Sequence, residues 1–271
     1  MLKYWLWPFL ATIVAVWGGN LWYYESQKLE RPLFLMHYYE IPASLFEHMS
    51  LYFVTNNDVK RVPFRLELPN GLQLRVERVS NRDEKGRLQL CEAIVSPQSG
   101  VIDSLDRTVS FDRLRVYYDD GLVDTVRIGE IIVHPNPRSQ YPLQSTHSKG
   151  WSDDTGSVGY IVRNDVAITS VTYSFPNILN QAVDVRLNGH MPNFALFPLK
   201  LRADDSVQLD YSVQLPDNDF RRFHAYQLRF ALETANGEGE YASTQIVNIQ
   251  PKIYGEHLLM YIRQRKQEPV L

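Results

Sequence analysis

Residues 207–215 read Val-Gln-Leu-Asp-Tyr-Ser-Val-Gln-Leu, in which large apolar side chains alternate with polar ones. Because successive side chains of a β-strand point to opposite faces, this period of two predicts a strand with one face buried and the other in water. The same alternation recurs along most of the chain, in residues 64–68, 72–76, 114–118, 171–175, 183–187 and 226–232.

Short turn sequences separate these runs: Pro69-Asn70-Gly71, Asp119-Asp120-Gly121, Asn188-Gly189 and Asn236-Gly237. Asn, Asp and Gly accept the positive φ that hairpin tips require, so the runs and turns together predict an antiparallel, all-β fold. Two regions depart from the strand pattern. Residues 44–49 indicate a short helical turn, and residues 255–267 indicate a terminal helix with Leu258, Leu259 and Ile262 on one side.

The two halves of the chain share a weak similarity in the same order. Residues 52–59, Tyr-Phe-Val-Thr-Asn-Asn-Asp-Val, resemble residues 160–166, Tyr-Ile-Val-Arg-Asn-Asp-Val. Further matches pair 64–70 with 171–177, 114–116 with 228–230, and 131–135 with 247–251. This order predicts two copies of one domain of about 100 residues, the size of an immunoglobulin-like sandwich. The alternative is chance, since strand patterns and Pro-Asn turns recur in any β protein.

The predicted fold is therefore all-β, with two tandem immunoglobulin-like β-sandwich domains after a single N-terminal transmembrane helix. Proline, serine and glycine between the halves indicate a linker. The predicted ranges are 1–30 for the membrane anchor, 31–137 for the first sandwich, 138–154 for a linker or long loop, 155–252 for the second sandwich, and 253–271 for a helical, basic C-terminal tail.

The N-terminal segment carries no charged side chain between Lys3 and Glu25. A helix over residues 4–24 is about 21 residues or ~31 Å long, which matches the hydrocarbon thickness of a bilayer. Tryptophans and tyrosines cluster towards its two ends, as in the aromatic belts of membrane helices. The predicted anchor residues are Trp5, Trp7, Trp17 and Trp22, and the predicted partner of this helix is the lipid bilayer.

A cleaved signal peptide is the alternative for this segment. Its cleavage site needs small residues at the Ala-x-Ala spacing, whereas Ala15 is followed by Val16 and the bulky Trp17, so a retained anchor is favoured. Lys3 precedes the segment, and Lys28 and Arg31 follow it. The positive-inside rule therefore barely distinguishes the two possible orientations of the helix. We expect a single-pass protein of the cell membrane whose soluble region is extracytoplasmic.

Charge and cysteine content restrict the class of protein. The formal net charge of -3 provides no basic field for a polyanion, so nucleic-acid binding is not expected. Cys91 is the single cysteine, so an intramolecular disulfide is impossible, and its strand-like surroundings predict a small core residue. A single thiol fits the cytosol or a bacterial cell envelope that uses few disulfides.

The sequence contains no motif that specifies a reaction. There is no Gly-x-Ser-x-Gly elbow, and the seven histidines are dispersed without a metal-ligand spacing. The acidic groups around Asp119, Asp204 and Asp217 are predicted to be turn residues rather than calcium ligands, because hairpin tips need Asp for their own backbone. We therefore assign no catalytic residue, no cofactor and no metal site.

Tyrosine pairs offer the one candidate binding surface. Tyr38-Tyr39 and Tyr117-Tyr118 place one ring on each face of a strand, so one of each pair is expected in the core and the other exposed. We assign Tyr39 and Tyr118 as candidate binding residues, because tyrosine is enriched at interfaces.

These observations favour a non-catalytic, membrane-anchored module that binds or scaffolds a protein partner at the cell envelope. The first alternative is a cell-wall or carbohydrate-binding module that uses the tyrosines. The second is an envelope hydrolase whose site is assembled from distant loops, since such a site leaves no local motif.

Overall fold

The computed structural model describes residues 2–58, 61–98, 105–136, 142–192, 196–236 and 239–267. The fold is mostly β, as predicted. In the first half, helix α1 precedes a short helix and eight strands: α1 (Leu2–Ser26), β1 (Leu33–Phe34), β2 (His37–Pro42), α2 (Ala43–Phe46), β3 (Met49–Asn56), β4 (Pro63–Glu67), β5 (Gln73–Lys85), β6 (Leu88–Pro97), β7 (Val109–Tyr118) and β8 (Val123–His134).

Eight further strands, a 3₁₀ turn and a terminal helix follow: β9 (Leu143–Gly150), β10 (Thr155–Val162), β11 (Val166–Tyr173), β12 (Val183–Leu187), β13 (Leu199–Leu201), β14 (Ser206–Val213), the 3₁₀ turn (Phe220–Phe223), β15 (Ala225–Asn236), β16 (Gly239–Ile249) and α3 (Glu256–Gln267). The predicted hairpin tips at Gly71, Gly121, Asn188 and Gly189 adopt positive φ. Their sequences are therefore explained by turn geometry.

A single mixed sheet surrounds the first hydrophobic core, with the order β1-β3-β6-β5-β4-β7-β8-β2. Strand β5 is 13 residues long and pairs with β4 at one end and with β6 along most of its length. Side chains from β3, β6, β7 and β8 all pack in the same core, so the sheet curls around it. Cys91 is buried in this core, as predicted.

Two sheets face each other across the second hydrophobic core. One has the order β12-β14-β10-β9, and the other contains β16, β15, β11 and β13 as neighbours. Residues 207–213 of the alternating run at 207–215 lie in β14, where Val207, Leu209, Tyr211 and Val213 are buried. The alternation in the sequence therefore assigned the faces of this strand correctly.

Strand β2 joins the two halves. It pairs in parallel with β8 over residues 37–42 and in parallel with β15 over residues 37–39. At the pair between His37 and Gly129, Gly129 has φ +98 and a Cβ there would collide with the main chain of His37. A glycine is therefore required for the close approach of β2 to β8. We call this shared region, β8-β2-β15, the seam.

One predicted segment needs correction. Residues 138–154 were predicted as a linker or long loop, but residues 143–150 form strand β9 paired with β10. All but the first residue of β9 are exposed. The strand therefore has no buried apolar face, and its sequence does not show the alternation that predicts a strand. The predicted helical tail contains α3, whose Leu258, Tyr261 and Ile262 are buried in the first core. The domain division at 137 and 155 stays a prediction, because residues 137–141 lie outside the described ranges.

Leu209 tests the second core. Leu209→Asp places an unpaired carboxylate where Leu209 is fully buried, and we expect a loss of stability on the order of 4 kcal/mol or more. The matched control is Ser206→Asp on the exposed face of the same strand, expected to change stability by less than about 1 kcal/mol. Thermal melting followed by near-UV circular dichroism measures both, and equal melting temperatures would contradict the assignment.

Candidate functional site

Helix α1 exposes apolar side chains on all sides. Trp7, Trp17 and Trp22 are 74, 76 and 74% exposed. Exposed Phe9, Val14 and Leu21 lie between them, and the side chain of Trp5 lies outside the described set. The predicted helix is thus confirmed. Among the helices in the described ranges, none is long and apolar enough to cross a membrane.

Arg87 fixes the last turn of α1 to the first half. It lies in the turn between β5 and β6 and is 5% exposed. Its guanidinium forms ion pairs with Glu25 (Nη1 to Oε1, 2.6 Å) and with Asp58, and it lies 5.0 Å from the centre of the Tyr24 ring. We call these four residues the joint. Arg87 satisfies two carboxylates and an aromatic face at once, an arrangement that suits a guanidinium.

Hydrogen bonds and an ion pair also attach the segment that follows α1 to the first half. Asn56, itself buried, accepts the Leu29 N–H at its Oδ1 (2.9 Å) and donates from Nδ2 to the Leu29 carbonyl (2.7 Å). Arg61 donates to the Glu30 carbonyl (2.5 Å), and Arg31 forms an ion pair with Asp124 (3.0 Å). A cavity of about 140 Å³ beside this segment is lined by Lys28, Leu29, Glu30, Arg31, Pro32, Thr55, Asn56 and Arg61.

A polar network lies along the seam. The Glu40 carboxylate in β2 contacts His134 at the end of β8 (Oε1 to Nε2, 2.9 Å) and accepts from Arg229 in β15 (3.2 Å). Burial raises the pKa of Glu40, but hydrogen bonds from His134 and Ser174 together with the charge of Arg229 lower it further, so the pKa lies below its ordinary value. The carboxylate is therefore ionised at neutral pH and ties three strands together.

The hydroxyl of Thr108 lies 3.0 Å from His134 Nδ1, which makes a hydroxyl–imidazole–carboxylate series with Glu40. Because a carboxylate only accepts, Nε2 is the nitrogen that donates to Glu40. Arg229 binds the same oxygen of Glu40, so that oxygen is already occupied by a structural contact. Neither of the two described cavities contains Thr108, His134 or Glu40.

The assignment of Tyr39 and Tyr118 as an exposed binding face was wrong. Both are 1% exposed, and the Tyr39 hydroxyl donates to the Ser50 carbonyl in the core (2.8 Å). Their neighbours Tyr38 and Tyr117 are half-buried, so each pair does place its two rings on opposite faces. The placement on opposite faces was predicted correctly, but the expected exposed ring is missing from both pairs, because tyrosine suits either face of a strand.

The acidic turn around Asp119 is explained by its own hydrogen bonds. Asp119 accepts the Val62 N–H (3.1 Å) and Asp120 accepts the Leu122 N–H (3.1 Å). Asp120 also pairs with Arg61 (2.6 Å). Among the described residues, no group of three or more His, Cys, Asp or Glu is arranged to hold a metal ion.

Two buried histidines were not predicted as special, because the sequence gives no sign of their burial. His37 Nε2 accepts the Tyr52 N–H (2.8 Å), so its ring is neutral with the proton on Nδ1. Burial lowers the pKa of His37 to about 3. Burial, assisted by the charge of Arg265, lowers the pKa of His224 to about 4.

Comparison with known proteins identifies no family. No family model matches the chain, and no curated protein matches it. A crystal structure of the YadV chaperone is 12% identical, with 80% of this chain and 99% of that chain covered and a TM-score of 0.22. A structure of manganese lipoxygenase of Gaeumannomyces graminis with part of zonadhesin of Komagataella pastoris is 10% identical, with 83 and 95% covered and a TM-score of 0.24.

A marsupial T cell receptor is 12% identical, with 81% of this chain and 95% of that chain covered and a TM-score of 0.23. These superpositions carry no argument about function.

The buried histidines predict a loss of stability in mild acid. Their pKa values are about 3 and 4 in the folded chain and near 6.5 unfolded, so below about pH 6.5 the unfolded state takes up protons that the folded state does not. The free energy of unfolding therefore falls as pH decreases from 6.5 towards 4. His37→Gln, whose amide still accepts from Tyr52, should reduce that slope by up to about 1.4 kcal/mol per pH unit.

Urea unfolding at pH 7, 6 and 5 measures the slope. The control is His190→Gln at an exposed position, which should leave the slope unchanged. Equal slopes for wild type and His37→Gln would contradict the burial of a neutral His37.

Proposed function

We propose that this protein is a non-catalytic, single-pass membrane protein of the cell envelope. In this proposal α1 lies in the bilayer, and two tandem immunoglobulin-like sandwiches outside the cytoplasm bind a partner protein. The observation that carries the proposal is the exposure of apolar and aromatic side chains on all sides of α1.

A helix that is apolar all round needs an apolar environment, either a protein interior or lipid. The body of this protein supplies none, because the described side chains from Phe9 to Ser26 are all exposed. Although α1 is not apolar enough to meet the usual criterion for a membrane span, the uncharged stretch between Lys3 and Glu25 has the length that a bilayer requires. Trp7 near one end and Trp22 with Tyr23 near the other suit the two headgroup regions.

The immunoglobulin-like assignment is supported by strand order. In the second half, β9-β10-β14-β12 corresponds to strands A-B-E-D of that fold and β16-β15-β11 to G-F-C. Tyr226, at the start of β15, donates from its hydroxyl to the Arg221 carbonyl (2.9 Å), which is the geometry of a tyrosine corner.

Duplication is supported by the same correspondence. The sequence matches fall in β3 and β10, in β4 and β11, in β7 and β15, and in β8 and β16. Both β4-β7-β8 and β11-β15-β16 are consecutive neighbours in their sheets. Tyr52 and Tyr160 occupy matching strands and both are buried. Three of the four matches therefore keep the same neighbour relations in both halves, which favours duplication over chance.

Binding of a protein partner is supported by exposed residue types outside α1. Trp151, next to β9, is 55% exposed, and Tyr254, before α3, is 65% exposed. Met191 and Met260 are also exposed. Tryptophan, tyrosine and methionine are enriched where proteins meet. The carbohydrate-binding alternative depended on Tyr39 and Tyr118, which are buried, and the hydrolase alternative has only the Thr108–His134–Glu40 series described above.

Insertion of α1 is tested by Val14→Arg in the full-length chain. A cation at the middle of a membrane helix costs about 2.5–3.5 kcal/mol, so the variant should shift towards the soluble fraction after an alkaline carbonate wash, whereas Val14→Leu should remain in the membrane pellet. A wild-type chain that leaves the membrane in the wash would contradict the anchor. Digestion by a protease added outside intact cells tests the orientation.

Partner binding is tested by a photo-crosslinking amino acid at position 151 of the membrane-bound chain in its native cell. We expect one discrete crosslinked protein species, because an exposed tryptophan at an interface centre contacts its partner directly. The same amino acid at Arg78, which is exposed on β5, is the control and should give no such species. The absence of a species from position 151 would contradict this binding surface.

A further inference from the structure

The outer face of the first-half sheet carries five arginines on four neighbouring strands. Leu66, Leu74 and Val116 point into the first core, so the alternate positions of β4, β5, β7 and β8 point to solvent. The strand registers arrange these outward positions in three rows. The first row is Arg75, Arg65, Tyr117 and Val123, the second is Gln73, Glu67, Arg115 and Thr125, and the third is Arg113 and Arg127. We call these residues the arginine face.

Four of these arginines form two directly opposed pairs. Arg65 lies opposite Arg75 on β4 and β5, and Arg113 lies opposite Arg127 on β7 and β8. Side chains in such positions have Cβ atoms about 5 Å apart, and like charges there destabilise a sheet. An anion that binds between two opposed guanidinium groups relieves this repulsion. The arginine face is therefore stabilised when anionic groups occupy it.

Two carboxylates lie among the five guanidinium groups. Glu67 accepts from the Tyr117 hydroxyl (2.7 Å) and lies 3.9 Å from Arg115. Asp112, at the bulge of β7, lies 3.7 Å from Arg113. The face therefore has an excess of positive charge. Three carboxylates at its margin are engaged elsewhere: Glu77 accepts from Ser96 (2.8 Å), and Asp119 and Asp120 accept the main-chain N–H groups of Val62 and Leu122.

The other three arginines have no carboxylate partner. Arg75 and Arg127 are exposed, and neither forms an ion pair with any residue in the described ranges. The Arg65 guanidinium lies over the Tyr117 ring, 4.0 Å from its centre. Its Nε is buried and has no hydrogen-bond partner among the residues that the structure describes. These guanidinium groups are therefore available to an anion from another molecule.

The composition of the arginine face indicates that this molecule is a protein. All of its cations are arginines, and a planar guanidinium binds a carboxylate through two parallel hydrogen bonds. Tyr117 is half-buried, Val123 is 47% exposed, and Phe64, at the β4 bulge beside Arg65, is 52% exposed. Arginine and aromatic side chains are enriched where proteins meet, whereas lysine is depleted there.

We propose that the arginine face binds an acidic segment of the partner protein, whose carboxylates bridge the opposed arginines. The inference rests on the proposed binding of a partner and adds the chemistry that the partner must offer. Four strands and three rows give the face dimensions of about 14 by 13 Å. An extended segment of about four residues, with glutamate or aspartate among them, covers that distance.

Fluorescence anisotropy of labelled hexaglutamate, titrated with the full-length chain in neutral detergent at physiological salt, tests the face. Arg75→Glu and Arg127→Glu should each weaken binding about ten-fold or more, because each removes a cation and adds an anion. The matched control is Arg78→Glu, at an exposed position of β5 beyond the face, which should change the affinity less than about two-fold because salt screens it. Both face variants should melt no lower than wild type, since an opposite-charge pair replaces a like-charge pair.

Three results of this titration would overturn the inference. They are no binding of hexaglutamate to wild type, an equal loss of affinity in all three variants, and tighter binding of hexathymidylate, which would indicate a phosphate polymer instead of a protein.

A photo-crosslinking amino acid in place of Thr125, which is exposed between Arg115 and Arg127, separates this inference from the proposed function. In the native cell we expect one protein species from position 125, and Arg75→Glu should abolish it. A species from position 151 with none from position 125 would overturn the inference and leave the proposed partner binding intact. The absence of a species from position 151 would instead contradict the proposed binding surface, and the hexaglutamate titration would then decide on the arginine face alone.

Discussion

The parallel pairing of β2 on both of its edges is the constraint on which the rest of the structure depends. The main chain of this six-residue strand is hydrogen-bonded to β8 on one side and, at residues 37–39, to β15 on the other. The ionised Glu40 adds side-chain contacts to both neighbours, through His134 and Arg229. The two halves thereby share a sheet and are not connected by chain alone, and Gly129 is the residue that allows the approach.

Much of the architecture could be predicted because it is local. The alternation in residues 207–213 depends on a few adjacent residues, and so do the Asn-Gly and Asp-Gly turns. Such local features can be predicted from the sequence. Strand β9 was missed for the opposite reason, since it buries almost nothing. The role of β2 has no local signal either, because its pairing with β8 and β15 joins residues about 90 and 190 positions apart.

The features that bear on function also divide into local ones, which the sequence reveals, and long-range ones, which it does not. The uncharged aromatic segment of α1 is readable directly, and its helix was predicted. The joint was not, because Arg87 and Glu25 meet only when β6 and the helix end are brought together by the fold. The choice of Tyr39 and Tyr118 failed for another reason: with tyrosine on both faces of each strand, the sequence does not distinguish the buried ring. Trp151 is the one tryptophan of the sequence outside α1, and it is exposed. Its separation from the other four tryptophans could have indicated a surface role from the sequence alone.

Helix α3 has a consequence for the time order of folding. Leu258 and Tyr261 belong to the first core, yet the ribosome adds them after every strand of the second half. During synthesis, β1 to β8 leave the ribosome before α3 does. Part of their apolar surface therefore stays uncovered until α3 has been made. Vectorial synthesis thus cannot complete the first half before the second, and the nascent chain must be protected from wrong contacts during that interval.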